Sequence, residues 1–150
     1  MELVKAEQIA KEKMLEHGLS DWEFYFDESV SRRGACHWER KMISLSKALT
    51  EIREEKFVIN TILHEIAHAL CGRIEMHSDR WRQKALSIGC DGTRCSNDGV
   101  MVAKPFKATC STCGYSWKSH RQTRLACSNC CKKFNDGVFD RKYLVKWTKV

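Results

Sequence analysis

Residues 61–68 read Thr-Ile-Leu-His-Glu-Ile-Ala-His, with two histidines four positions apart and a glutamate directly after the first. Residues four apart lie one above the other on a helix, so two imidazole rings can reach a single metal ion. This H-E-x-x-H pattern is typical of zinc peptidases, in which the glutamate moves the protons of a zinc-activated water. The stretch therefore predicts a catalytic zinc bound by His64 and His68, with Glu65 as the acid and base.

The residues around this motif have the spacing of an amphipathic helix. We expect Thr50 to cap the beginning of this helix and Gly72 to end it after Cys71. Its apolar side chains recur every three or four positions and form one stripe: Ile59, Ile62, Leu63, Ile66 and Leu70. The two histidines fall on the opposite side, so one face should be buried in a core while the other faces a cleft.

A catalytic zinc needs a third protein ligand and an open position for water. The break at Gly72 allows the chain to turn back, which would place His77 at the start of the next helix. His77 is therefore the predicted third ligand. Glu75 and Asp79 also carry metal-binding side chains and remain alternatives.

The remaining patterns predict a mixture of helices and short strands. Apolar spacing indicates helices over residues 2–17 and from position 77 or 78 to Gly89. Alternation or β-forming composition predicts strands at 22–26, 42–45, 115–117 and 143–147. The glycines and proline within 89–105 indicate a loop or linker. Together these elements predict the α+β class.

Cysteines near the C-terminus form a second candidate metal site. Two C-x2-C pairs, 13 residues apart, have the spacing of a structural zinc ribbon: Cys110, Cys113, Cys127 and Cys130. Cys131 is the alternative to Cys130. The sequence shows no signal-peptide pattern, so we expect a reducing, cytoplasmic compartment in which these cysteines bind metal and do not form disulfides.

Charge is distributed unevenly along the chain. Residues 1–100 contain 15 Lys and Arg against 17 Asp and Glu, whereas residues 101–150 contain 11 against two. This basic segment predicts a polyanionic partner, with nucleic acid first and a merely solubilising surface as the alternative. Aromatic residues interleave with the cations and favour a single strand, on whose bases they can stack. The candidate contact residues are Lys107, Tyr115, Trp117, Lys118, Arg121, Arg124, Lys132 and Lys133. Trp117 has the alternative role of filling the core of the ribbon.

The zinc motif and its neighbours resemble the SprT family of zinc metallopeptidases, which includes the Spartan proteases that degrade proteins crosslinked to DNA. The resemblance rests on the H-E-x-x-H helix together with Arg33-Gly34-Ala35-Cys36, Ile43-Ser44-Leu45-Ser46, His77-Ser78-Asp79-Arg80-Trp81, Ile88-Gly89-Cys90 and Gly92-Thr93-Arg94-Cys95. Serine stands at position 78, where the family pattern has glycine. Serine caps helices well, so this departure leaves His77 a suitable ligand.

The resemblance implies a zincin-like metallopeptidase domain at residues 1–95, a linker at 96–104 and a basic, antiparallel β zinc ribbon at 105–150. It assigns one catalytic zinc to His64, His68 and His77, and makes Glu65 the acid and base. One structural zinc would be held by the ribbon. Protein substrates and DNA, with single strands favoured, are the implied partners. We expect no membrane association and treat the chain as a monomer.

Two other interpretations remain. The first is a nucleic-acid-binding adaptor whose histidine site is not catalytic. The presence of Glu65 argues against it, because a purely structural site needs no carboxylate at that position. The second keeps the peptidase but makes the ribbon a protein-docking module. A strong salt dependence of DNA binding would argue against that second interpretation.

Overall fold

Apolar periodicity along the sequence agrees with the helices and strands of the computed structural model, which describes residues 1–95 and 98–150. These residues form two units, Met1–Val102 and Ala103–Val150. The first unit contains α1 (Leu3–Glu16), β1 (Glu23–Asp27), β2 (Gly34–His37), β3 (Met42–Ser46), α2 (Lys47–Ile52), α3 (Glu55–Cys71) and α4 (Asp79–Ser87). The second contains β4 (Phe106–Cys110), β5 (Ser116–Ser119), α5 (Ser128–Phe134) and β6 (Val145–Lys149). The predicted α+β class is confirmed.

A three-stranded sheet forms one layer of the first unit. Its order is β1-β3-β2, with β1 parallel and β2 antiparallel to the central β3. Alternate residues of β3, Ile43 and Leu45, face a core shared with α1 and α3. That core also contains Ala6, Ala10, Met14, Leu19, Val58, Ile62 and Ile66. The packing leaves β2 at a sheet edge, next to α3.

The helix that carries the zinc motif starts later than the sequence predicts. Thr50 does not cap it, because Thr50 lies buried inside the separate short helix α2. Ser46 caps α2 instead, and its Oγ accepts a hydrogen bond from Leu49 N at 3.1 Å. The chain then breaks at Arg53 and Glu54 before α3 begins. The predicted end of α3 is confirmed, since Gly72 follows it with a φ of 85° that suits glycine.

The second unit is built on an antiparallel sheet of order β5-β4-β6. Its inward residues pack on cysteines, giving a small core of Ala108, Cys110, Cys127, Cys130, Cys131, Tyr143 and Val145. The two predicted strands are present, shifted by one or two residues from 115–117 and 143–147. Sequence periodicity does not predict α5, which has only seven residues.

The segment between the zinc motif and the ribbon is attached to the first unit. Asp98, within the predicted linker 96–104, pairs with Arg53 and with Arg33. The side chains of Asp98 and Arg53 are 1% and 2% exposed, so this ion pair is buried. Positions 96 and 97, including the Asn97 of the predicted loop, lie outside the described residues. Among the residues described, no helix is both long and apolar enough to cross a membrane.

Candidate functional site

Three histidines converge on one point in the first unit. The Nε2 atoms of His64, His68 and His77 are each 3.1 Å from the other two. His64 and His68 lie one turn apart on α3, and His77 immediately precedes the helix α4. The predicted alternatives Glu75 and Asp79 are not part of this cluster of ligand atoms.

The spacing of these nitrogens fits a metal ion. Nitrogen ligands of tetrahedral zinc bind at about 2.0–2.1 Å, which places them about 3.3 Å from one another. A neutral imidazole presents a lone pair at the ring nitrogen that carries no proton, so a shared cation stabilises three such atoms at this distance. The group can therefore hold a metal ion and leaves a fourth position open.

Local structure holds the imidazoles in place. Ser78 caps α4 by accepting a hydrogen bond from Trp81 N at 3.2 Å, which fixes the start of the helix beside His77. The Trp81 ring is 1% exposed and lies 4.7 Å from the rings of His64 and His77 and 5.1 Å from that of His68. The sequence marks Trp81 as part of a family-like segment but does not reveal that it contacts all three rings.

Burial keeps the histidines neutral. Desolvation, followed by the charges of neighbouring histidines, lowers the pKa of His64 to about 4 and that of His68 to about 3. Desolvation and then the charge of Arg94 also lower the pKa of His77. Metal ions bind the neutral form of imidazole, so the three rings are in the binding form at neutral pH.

Glu65 lies beside this cluster, in a dry environment. Its side chain is mostly buried, and desolvation raises its pKa to about 8, an effect that the charge of Arg32 opposes. Strand β2 crosses Glu65 closely at Gly34: a Cβ there would be 3.0 Å from both Cγ and Oε1 of Glu65. Glycine is thus needed at position 34 for the carboxyl group to occupy its place. A bound cation nearby would favour the ionised carboxylate.

A cleft of about 430 Å³ gives access to the histidines and Glu65. Its other lining residues are Ser31, Arg32, Arg33, Gly34, Ala35, Cys36, Trp38, Asn60, Thr61, Met76, Arg94 and Cys95. Two of its arginines are occupied, because Arg32 pairs with Asp27 and Arg33 with Asp98, each at 3.0 Å. Arg94 is exposed and has no ion pair within the described ranges 1–95 and 98–150.

Four cysteine sulfurs form a second candidate metal site in the second unit. The Sγ atoms of Cys110, Cys113, Cys127 and Cys130 all lie within 4.8 Å of one another. Cys110 and Cys130 are 3.7 Å apart, and Cys113 and Cys127 3.6 Å, close to the separation of about 3.8 Å that tetrahedral thiolates need at 2.3 Å from zinc. Cys131 is buried in the adjoining core and lies outside this group. The cluster fits a zinc ribbon and can hold a metal ion.

The residues predicted to contact nucleic acid do not share one surface. Lys107 and Lys118 lie directly opposite each other on β4 and β5, on the outer face of the sheet. Trp117 lies on the inner face, where it packs against the core together with Trp147. Tyr115 is half exposed, with its ring 5.6 Å from that of Trp117. The other four predicted residues are exposed outside the sheet: Arg121, Arg124, Lys132 and Lys133.

Comparison with known proteins places these features in a family. No curated protein matches the chain significantly. The model of the SprT-like family matches residues 5–100, more than half of the 150 residues, and this range contains the H-E-x-x-H helix, His77 and the whole cleft lining. Such a match indicates a metallopeptidase-like domain, followed by the cysteine cluster at 110–130. The chain belongs to the SprT-like family.

Proposed function

We propose that this protein is a zinc-dependent endopeptidase that acts on proteins associated with DNA. The convergence of three histidine nitrogens beside a buried glutamate, at the base of an open cleft, is the observation that carries this proposal. A structural site needs four protein ligands, whereas this group of three leaves room for water or substrate.

The edge strand β2 is suited to bind an extended substrate chain. In an antiparallel pair, the backbone groups of alternate residues point toward the neighbouring strand and away from it. Ser46 N donates a hydrogen bond to Arg33 O, so the backbone groups of Arg33 point toward β3. By the alternation, the backbone groups of Gly34 and Cys36 point away from β3. Both residues line the cleft. A substrate segment that pairs there would pass over Glu65 without needing a particular side chain.

The chemistry assigned to these residues is amide hydrolysis. Zinc held by the three histidines would lower the pKa of a water toward about 7 and polarise the scissile carbonyl. Glu65 takes a proton from the attacking water and delivers it to the leaving amine. Arg94, the cleft arginine with no ion pair among the described residues, would stabilise negative charge on the carbonyl oxygen.

Recruitment to DNA is assigned to the second unit. It contains 11 Lys and Arg against two acidic residues, and none of these cations forms an ion pair within the part of the chain that the structure describes. Such a concentration of unpaired positive charge favours a polyanion. DNA binding would raise the local concentration of bound proteins near the cleft.

The test is cleavage of a DNA-binding protein by the zinc-loaded chain, with and without single-stranded DNA. Glu65→Gln should abolish cleavage while zinc content and thermal stability are retained. The matched control is Glu12→Gln, which changes the same chemical group on an exposed face of α1 and should cleave like the wild type. Cleavage that persists in Glu65→Gln would refute the proposed mechanism.

The same assay separates the remaining interpretations. Glu65-dependent cleavage that DNA does not stimulate would keep the peptidase and favour protein docking by the ribbon. DNA binding without any cleavage, by a chain carrying both metals, would favour the adaptor with a non-catalytic histidine site.

A further inference from the structure

The outer face of the second sheet carries one lysine from each of its strands. Lys107 on β4 lies opposite Lys118 on β5, and Lys146 on β6 lies opposite Thr109, two positions along β4 from Lys107. All three lysines are exposed. Directly opposed residues have Cβ atoms about 4.5–5.5 Å apart and diagonal neighbours about 7–8 Å apart. The lysines therefore form a continuous row across the sheet, which we call the lysine row.

This arrangement is unfavourable in the protein alone. Like charges placed directly opposite each other destabilise a sheet. Cys110 N donates a hydrogen bond to Tyr115 O, and hydrogen-bonded and non-hydrogen-bonded pairs alternate along the two strands. Lys107 and Lys118 are therefore a non-hydrogen-bonded pair, in which the side chains lie closest together. No acidic residue lies on any of the three strands, and no lysine of the row forms an ion pair among the residues that the structure describes. An external anion would remove this repulsion.

The chemistry of the surrounding surface indicates which anion fits. The other outer-face residues of the strands are Thr109, Ser116 and Thr148, all hydroxyl side chains. These strand positions offer charge and hydrogen bonds but include no apolar or aromatic residue, whereas membrane and protein docking surfaces need apolar contacts at their centre. Lysine acts as a point charge toward phosphate, and hydroxyls also contact phosphate oxygens. Closely spaced phosphates in a row occur in the backbone of a nucleic acid.

We propose that the lysine row binds the phosphate backbone of a nucleic acid, independently of base sequence. The proposal deepens the DNA recruitment assigned above and rests on it, but it names a different surface from the aromatic one. Bases stacked on Tyr115 would lie at another part of the unit, because Trp117 and its neighbours belong to the inner side of the sheet. Lys146, which composition alone does not single out, becomes a contact residue.

The experiment measures binding of a fluorescein-labelled oligo(dT) of about 20 nucleotides by anisotropy, over a range of salt concentrations. If each lysine neutralises one phosphate, Lys107→Gln, Lys118→Gln and Lys146→Gln together should reduce the slope of log K against log salt by about 2. The same relation predicts an affinity about 100-fold lower near 0.1 M salt. Replacing the three lysines by arginine should preserve binding, which shows that the charge, and not a folding defect, is responsible.

The matched control replaces Lys104, Arg141 and Lys142, three exposed basic residues that lie outside the strands and outside the predicted contact residues, by glutamine. It changes the net charge equally and should cost much less affinity. An equal loss in both triple variants would overturn the proposal, because the unit would then bind through its overall charge. Tighter, lysine-row-dependent binding to phosphatidylserine vesicles than to oligo(dT) would also overturn it.

Failure of the proposed enzyme is distinguishable from failure of this inference. Cleavage of an unfolded protein without DNA should be the same in the wild type and in the lysine-row variant. If the wild type shows no Glu65-dependent cleavage, only the activity proposed for the first unit is contradicted. If the lysine-row variant binds DNA as tightly as the wild type, only the role of these three lysines is contradicted.

Discussion

Replacing Gly34 by alanine tests how strictly the position of Glu65 is set. The added Cβ would lie 3.0 Å from Cγ and Oε1 of Glu65 and 3.1 Å from Cδ2 of Leu45. Ordinary contacts begin near 3.4 Å, so the Glu65 side chain must shift by a few tenths of an ångström, about 0.4 Å. A displacement of about 1 Å in a catalytic group costs about 100-fold in rate. On a logarithmic scale, a shift of about 0.4 Å corresponds to a fall in kcat/KM of roughly 5- to 10-fold, mainly through kcat.

The assay is cleavage of a fluorescently labelled unfolded protein, with zinc content and thermal unfolding measured on the same samples. Zinc content should not change, because the atoms nearest to the new Cβ belong to Glu65 and Leu45 and not to a histidine. Overpacking should lower the free energy of unfolding by about 1–3 kcal/mol.

Gly18→Ala is the control for a stability loss without displacement of Glu65. Gly18 has a φ of 76°, and no atom lies within 4 Å of its added Cβ. The left-handed conformation alone should cost about 1–2 kcal/mol of stability and leave kcat/KM unaltered. Wild-type kcat/KM in Gly34→Ala, at full zinc content, would refute the reasoning that close contact with β2 positions the catalytic carboxyl group.

Three further predictions concern charges and metals. Asp98→Asn should lower the free energy of unfolding by about 3 kcal/mol in urea titrations, because it removes the buried anion that faces Arg53. Burial raises the pKa of Asp98, but hydrogen bonds from Arg53 and Arg33 together outweigh this effect and lower the pKa to about 2. The stabilisation is therefore complete above about pH 4 and is lost as the pH falls through 2, and the variant should lack this acid-dependent loss. Arg94→Gln should lower kcat about 10-fold with zinc content unchanged, measured under saturating substrate, if Arg94 stabilises the carbonyl oxygen. Chelation with EDTA should abolish cleavage and unfold the second unit while the first unit retains its helices, as followed by amide NMR spectra.

The helix and two of the three candidate ligands of the histidine site follow from short-range sequence patterns. His64 and His68 are fixed by one helical turn, and the apolar stripe that includes Ile62 and Ile66 determines which face of α3 is buried. The glycine after Cys71 and the serine after His77 mark the end of one helix and the start of the next. Each of these signals acts within a few residues, so the pairing of His64 with His68 can be predicted without the tertiary fold. The choice of His77 over Glu75 and Asp79 needs the structure, because it depends on how the chain turns back after α3.

Contacts between distant segments escape such patterns. Nothing in the local sequence indicates that Asp98 pairs with Arg53, 45 residues away, or that Gly34 packs on Glu65. The contact of Gly34 depends on the order of strands, which places β2 next to α3, and periodicity does not determine that order. The ion pair joins two segments outside the helices and strands, where no periodicity applies. The capping role of Ser46 is not predicted from the sequence either, because Ser46 is also the last residue of a strand and its pattern there does not mark it as a helix cap.

Strand alternation also changes the meaning of the basic and aromatic residues in the ribbon. As a sequence, Trp117 and Lys118 are neighbours and suggest one mixed binding surface. In the sheet they point to opposite faces, so Trp117 contributes to the core while Lys118 faces solvent. Pairing of β6 with β4 brings Lys146 opposite Thr109 and diagonal to Lys107, nearly 40 positions earlier in the sequence. The lysine row is therefore a surface separate from the aromatic side of the sheet.

The composition of the two cores explains why the two metals should have different consequences for the fold. Aliphatic and other apolar side chains fill the main core of the first unit, and its histidines lie on the cleft side of α3. In the second unit, three of the seven buried core residues are predicted metal ligands, and a fourth is Cys131. Without a metal, this core would be too small to stabilise 48 residues, whereas the first unit would lose only an ion on the cleft side of α3. We therefore expect the histidine site to bind or release a metal with the fold intact, and the cysteine site and the fold of the second unit to depend on each other.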